Sequence, residues 1–230
     1  LELFTSQVAK VGMTDGIRQV LQEESDALRA YYEQAGILIA RPAGGTSCRL
    51  AISAKGGTNA ENHNHNDVGS YAVALGSETM VGDQGGPNSY PGDYFNGDAP
   101  QKYKIKGSFG HPVPVVDGRT QSSGGKAKGV VLQKEFTNEK DVFSIDYTSA
   151  YSTPNLDKLI RTFVYDRQGE GNFTVGDEFT AKTPIRFETA ITTRADWKIL
   201  DDTNLLLATD YEQMIVAIYS SGKVVFTSET

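Results

Sequence analysis

Two of the three histidines in the chain lie one residue apart in Asn62-His63-Asn64-His65-Asn66-Asp67, among amides and a carboxylate, and the third is His111 in Gly110-His111-Pro112. In an extended segment, residues two apart point to the same side, so this spacing suits two imidazoles sharing one site. Imidazole is also the commonest side-chain metal ligand. A carboxylate, Asp83, follows among glycines in Gly82-Asp83-Gln84-Gly85-Gly86. Two imidazoles and a carboxylate form a zinc donor set that leaves a fourth position for water or substrate. The best such set is His65, Asp83 and His111, with His63 left for substrate chemistry. Asn62, Asn64, Asn66 and Asp67 would then surround the donors. Asp67 is the first choice to accept the second ring N–H of a metal-bound histidine, the hydrogen bond that fixes such a ring's tautomer.

Bringing these residues together places a condition on the chain. A tight hairpin at Gly76-Ser77 would set Asp83 opposite Ser70, about five residues or roughly 17 Å along the strand from His65. The histidine segment must therefore fold back as a loop, because a straight strand would remove Asp83 from the ligand set. The residues alone leave a second reading open, in which the histidines are ordinary hydrogen-bonded groups, Asp83 is a turn residue and His111 is an extended loop residue before Pro112.

The elements that would position the site are mostly strands. The chain has 230 residues, enough for a substantial core, and is rich in Gly, Thr, Tyr, Phe and Val. Residues 14 to 33 carry a helical pattern, with Thr14 as cap and Ile17, Val20, Leu21, Leu28, Tyr31 and Tyr32 near helical spacing, ended by Gln34-Ala35-Gly36. Beyond Ile37 the period turns towards two. Strands are expected over 37 to 41, 48 to 54, 68 to 75, 128 to 136, 143 to 148, 159 to 166, 172 to 180, 185 to 192, 213 to 219 and 223 to 227. Residues 83 to 126 are rich in Gly, Pro, Asn, Asp and Tyr and read as long loops, which often carry function. Residues 194 to 230 either form a small extra sheet or complete the main one. The fold class is all-β: a large antiparallel β-sandwich over residues 35 to 230, preceded by a short helical linker over 1 to 34.

Composition narrows the partners. The net charge is −7 and no Lys/Arg cluster is present, which argues against a nucleic-acid surface. No apolar run is long enough to span a membrane. Lys55, Arg119, Lys126 and Lys128 remain candidate contacts for an acidic ligand, although lysines of the last pair also suit a strand edge that discourages pairing. Cys48 is the single cysteine and has a packing role by default. The chain opens on Leu1-Glu2-Leu3-Phe4, without methionine, and so is expected to be processed or excised from a longer protein.

Several elements, in order, resemble the heparinase II/III-like polysaccharide lyases, specifically their β-sandwich domain: Gly36-Ile37-Leu38-Ile39-Ala40-Arg41-Pro42, His63-Asn64-His65-Asn66-Asp67-Val68-Gly69-Ser70-Tyr71, Gly82-Asp83-Gln84-Gly85 with Tyr90, His111, and Val116-Asp117-Gly118-Arg119-Thr120-Gln121. The resemblance covers roughly residues 30 to 125. It implies that His65, Asp83 and His111 hold one largely structural zinc, that His63 faces the substrate cleft with Asn62 and Asn64 as substrate-binding groups, and that Tyr90 is a second catalytic candidate. It further implies β-elimination on a uronic-acid polysaccharide, a missing N-terminal α/α toroid domain without which the chain is inactive, and a periplasmic or secreted location.

Two other readings compete. A cupin motif is copied by Gly57 and His63-Asn64-His65 but fails where a glutamate is required, at Gly69 and Ser70. A non-catalytic carbohydrate-binding sandwich would use Tyr90, Tyr94, Phe95 and Tyr103 as a stacking platform.

Overall fold

The computed structural model describes residues 27 to 83, 86 and 89 to 228. Its strands, in chain order, are β1 (Arg29–Tyr32), β2 (Ile37–Ala40), β3 (Leu50–Lys55), β4 (Thr58–Asn59), β5 (Tyr71–Leu75), β6 (Glu78–Val81), β7 (Val115–Val116), β8 (Gly124–Lys128), β9 (Val130–Phe136), β10 (Lys140–Asp146), β11 (Leu156–Asp166), β12 (Asn172–Ala181), β13 (Phe187–Glu188), β14 (Asp196–Ile199), β15 (Asn204–Ala208) and β16 (Gln213–Ala217). A four-residue helix, α1 (Ala99–Lys102), lies in the long loop region.

A five-stranded antiparallel sheet in the order β1-β2-β3-β5-β6 faces a four-stranded sheet in the order β12-β11-β10-β9. Period-two alternation generates the layer between them. Leu38, Ala40, Leu50, Ile52, Ala54 and Val73 of the first sheet and Phe143, Ile145, Leu159, Phe163 and Tyr165 of the second belong to one buried cluster. Tyr71 bridges the layers, edge-on to Phe163 with centroids 6.2 Å apart and to Phe173 at 5.7 Å. Strands β14, β15 and β16 form a separate small sheet, so residues 194 to 230 include an extra sheet, and it buries Leu205 and Leu207 against the main core. No helix among the described residues is long and apolar enough to cross a membrane.

The all-β expectation holds, with corrections at particular segments. The helix expected over 14 to 33 lies largely outside the described residues, and its last turn is a strand: Arg29–Tyr32 pairs antiparallel with Ile37–Ala40. Gly36, at φ +62°, makes the turn between them, so the boundary expected at 34/35 falls inside a hairpin. Tertiary contacts override the helical spacing here. Tyr31 packs against Phe136 and Phe143 at 5.6 and 5.7 Å, and Arg29 Nε donates to the buried Asp141 carboxylate at 2.8 Å.

The strand expected over 185 to 192 shrinks to Phe187–Glu188, paired with Val115–Val116. Beyond it, Thr192 and Thr193 turn their hydroxyls to the Gly82 and Met80 carbonyls, so the segment seals the edge of β6 through side chains. Residues 223 to 227 form no strand.

Candidate metal centre

The histidine segment folds back, as the ligand set requires. Strand β5 starts only at Tyr71, and Glu61 to Ser70 form a loop in which His63 takes φ +58° and Gly69 φ +86°. A left-handed conformation is strained for a histidine and reverses the chain direction there. On the opposite side of the hairpin, a register shift between Val73 and Ala74 advances β6 by a residue, and the Gly82 N–H bonds to the Thr192 carbonyl at 3.0 Å immediately before Asp83.

The loop is held by side chains. Gln121 Oε1 accepts from Val68 N at 3.0 Å and from Asn59 Nδ2 at 3.0 Å, while Gln121 Nε2 donates to Val68 O at 2.7 Å. Asn66 Nδ2 donates to Gln121 O at 3.0 Å and to Ser123 Oγ at 3.1 Å, and the Asn66 N–H bonds to Lys106 O at 2.8 Å. Arg161, fully buried between the sheets, joins this loop to the one carrying His111: Nη1 donates at 2.8 Å to both Gly69 O and Pro112 O. Its Nε and Nη2 hold Asp177 at 2.8 and 2.6 Å. Burial works against the guanidinium's charge, but the adjoining Asp177 more than offsets it and keeps the group charged.

His65, Asp83 and His111 converge, with one ligand atom from each lying within 4.8 Å of the others. His65 Nδ1 is 3.1 Å from His111 Nε2, and His111 Nδ1 is 3.4 Å from Asp83 Oδ2. Two nitrogens bound to one tetrahedral zinc at about 2.0–2.1 Å are themselves roughly 3.3 Å apart, so the histidine pair already has ligand spacing. His111 is buried, and its Nδ1 makes no hydrogen bond despite the nearby carboxylate. Burial, and then the neighbouring His111, push the His65 imidazole below its ordinary pKa, towards the neutral form that binds a metal. The donors present therefore fit a zinc ion.

The remaining expected site residues surround this centre unevenly. His63 is exposed and its ring lies 4.4 Å from the Phe95 ring. Asn62 is exposed, and Asn64 donates to the His65 carbonyl while its Oδ1 is buried without a partner. The Asp67 carboxylate pairs with Lys55, and the Asp67 N–H donates to Asn59 Oδ1 at 3.2 Å, so the nearest observed partner of the Asp67 carboxylate is the lysine of β3 and not a histidine ring. Tyr90 is exposed, 5.0 Å from the Tyr94 ring and 5.2 Å from Phe95.

Sequence reasoning missed three residues that hold the centre: Arg161, Lys106 and Ser108, whose Oγ accepts from Gln121 N at 2.9 Å. Arg161 did leave a signal. It occupies an inward position of β11 between Leu159 and Phe163, where alternation demands an apolar side chain.

Together these features define an antiparallel β-sandwich whose loops bring two histidines and one carboxylate together, with His111 buried, His65 half-buried and Asp83 exposed. No family model and no curated protein matches the sequence. Among solved structures, the chain is similar to the heparan sulfate lyase HepC from Pedobacter heparinus, with a TM-score of 0.66 at 14% identity over 86% of this chain and 30% of that one. A mutant of the same enzyme gives a TM-score of 0.59 at 18% identity, over 79% of this chain and 28% of that one. A heparinase III with methylated lysines gives 0.61 at 13% identity, over 80% of this chain and 27% of that one. The chain thus has a lyase-like β-sandwich fold and spans less than a third of the length of these enzymes.

Proposed function

We propose that the chain is the β-sandwich domain of a zinc-stabilised polysaccharide lyase that cleaves uronic-acid-containing glycans by β-elimination. The observation that carries this reading is the convergence of His65, Asp83 and His111 beside an exposed His63, on a fold found in heparan sulfate lyases. Zinc, when bound, supplies fixed positive charge that shapes the loops. In the elimination, a base takes the proton α to the uronate carboxylate, the bond to the glycosidic oxygen breaks as the ring double bond forms, and an acid protonates the departing oxygen. His63 stands on a strained turn at the edge of the centre, where it takes or stabilises charge on the substrate. Asn62 and Asn64 donate hydrogen bonds to the carboxylate, whose conversion to an enediolate-like state is the main electrostatic obstacle. Tyr90 is the second proton-transfer group.

The full reaction belongs to a longer protein, in which an N-terminal α/α toroid domain supplies the rest of the cleft, and the isolated chain is inactive. Its partner is an acidic polysaccharide outside the cytoplasm, in a periplasm or secreted. The test is to assay the longer protein on uronic-acid polymers for unsaturated uronate ends, by their ultraviolet absorbance. His63→Ala should lower turnover by about 10²–10⁴-fold with zinc retained. Failure of the longer protein on every such polymer would leave a carbohydrate-binding sandwich, the reading favoured by the aromatic rings around Tyr90.

A further inference from the structure

Five rings gather beside the metal centre. His63 lies 4.4 Å from Phe95, Phe95 lies 5.2 Å from Tyr90 and 5.3 Å from Tyr94, and Tyr94 lies 5.1 Å from Tyr103. They do not form a uniform platform. Tyr94 is buried, and the Tyr103 hydroxyl is committed to Asp93. Tyr90 and Phe95 are 58% and 49% exposed, a large apolar commitment to solvent for two adjoining rings on an acidic protein.

Their support is unusual. Lys106 is 2% exposed, and its Nζ donates to the Tyr94 carbonyl at 2.8 Å and lies 4.7 Å from the Tyr94 ring centroid and 5.2 Å from that of Phe95. A buried ammonium is costly to desolvate, so Lys106 depends on the Tyr94 carbonyl and the two ring faces that partner it. The Lys106 carbonyl accepts from Asn66 N in the histidine loop, so the same residue ties the aromatic loop to the metal centre.

We infer that Tyr90 and Phe95 form a sugar-stacking subsite that binds pyranose rings of an acidic oligosaccharide next to the ring handled by His63. The inference rests on the lyase reading for the role of His63 but not for binding itself. Aromatic faces bind sugars through their C–H groups, and the 41° angle between the Tyr90 and Phe95 planes makes a bent surface, suited to successive rings of a twisting chain and unsuited to one flat ligand. Lys106 is a positioning residue for this surface.

The test is calorimetric titration of this chain, zinc-loaded, with a size-defined hexasaccharide of alternating glucuronate and N-acetylglucosamine. Phe95→Leu and Tyr90→Leu should each weaken binding about threefold to tenfold with zinc content and thermal midpoint retained, the loss expected of one aromatic contact. Tyr90→Phe keeps the ring and should retain the binding that Tyr90→Leu loses, while in the longer protein it should lower turnover by removing the hydroxyl assigned to proton transfer. Unchanged affinity in both leucine variants, or no binding by the parent chain at millimolar hexasaccharide, would overturn the subsite. A chain that binds and loses affinity as described, while the longer protein fails to cleave any uronic-acid polymer, would instead sink the lyase reading and leave the subsite standing.

Discussion

The Gln121 side chain pairs both backbone groups of Val68: its amide oxygen takes the Val68 N–H at 3.0 Å and its amide nitrogen donates to the Val68 carbonyl at 2.7 Å. A side chain here does what a neighbouring strand would do, pairing both backbone groups of a residue that lies three positions past His65. The histidine loop can therefore run through a buried region without a sheet partner, which explains how a segment with strand-like spacing stays a loop.

Replacing Gln121 with Ala strips that pairing and also leaves Asn59 Nδ2 with only the Ser122 carbonyl. Each buried group left unsatisfied costs about 1–3 kcal/mol, so the variant should be destabilised by about 3 kcal/mol in urea unfolding. Because the same contacts orient His65, zinc affinity should fall by about 10–100-fold. Unaltered zinc affinity in a folded Gln121→Ala protein would show that the loop is held elsewhere.

Arg161 carries a heavier load. Arg161→Met removes the donor to Gly69 O and Pro112 O and leaves Asp177 with the Tyr147 hydroxyl alone, at 2.8 Å. Breaking a buried pair by removing one partner costs about 3–5 kcal/mol, since the other charge stays behind. The double variant Arg161→Met/Asp177→Asn should then be less destabilised than the sum of the singles. Strict additivity in a double-mutant cycle would mean that the two groups do not act as a unit.

How much of this was legible follows from which interactions have a sequence period. Strand β10 was readable because Phe143 and Ile145 alternate with Ser144 and Asp146, although Ser144 is buried as well, and in β11 burial alternates through Leu159, Arg161, Phe163 and Tyr165. The convergence of His65, Asp83 and His111 was readable because so few histidines are present and their chemistry is narrow. Strand β1 was not readable: Leu28, Tyr31 and Tyr32 fit helical spacing, and only pairing with β2 and the Arg29–Asp141 contact, 112 residues apart, decides for a strand. Arg167, which also reaches Asp141 and donates to Leu28 O at 3.0 Å, secures the same edge from a distant turn. Contacts of that sequence separation leave no local trace. The clustering of Tyr90, Tyr94, Phe95 and Tyr103 was readable as composition, but which rings stay open depends on the burial of Lys106 beneath them, and a lysine ordinarily reads as surface.

The metal centre makes the sharpest prediction about pH. The purified, chelator-washed chain should take up about one zinc, and His65→Ala, Asp83→Ala and His111→Ala should each abolish tight uptake. His65 is held below the ordinary histidine pKa, by burial first and then by His111, so between its folded value and about 6.5 the unfolded chain binds more protons than the folded one. Stability from this group is therefore complete above about pH 6.5 and is lost as pH falls through the folded value. Zinc competes with protons for the same nitrogens, so metal release should follow the same direction and lie at lower pH than the loss of stability in the metal-free chain. The check is unfolding at a series of pH values, with and without zinc, alongside metal content. In His65→Ala the acid slope should flatten. A zinc-free chain whose stability is level from pH 7 to pH 5 would contradict the burial of a neutral imidazole, and zinc uptake surviving in both histidine variants would remove the centre from these residues.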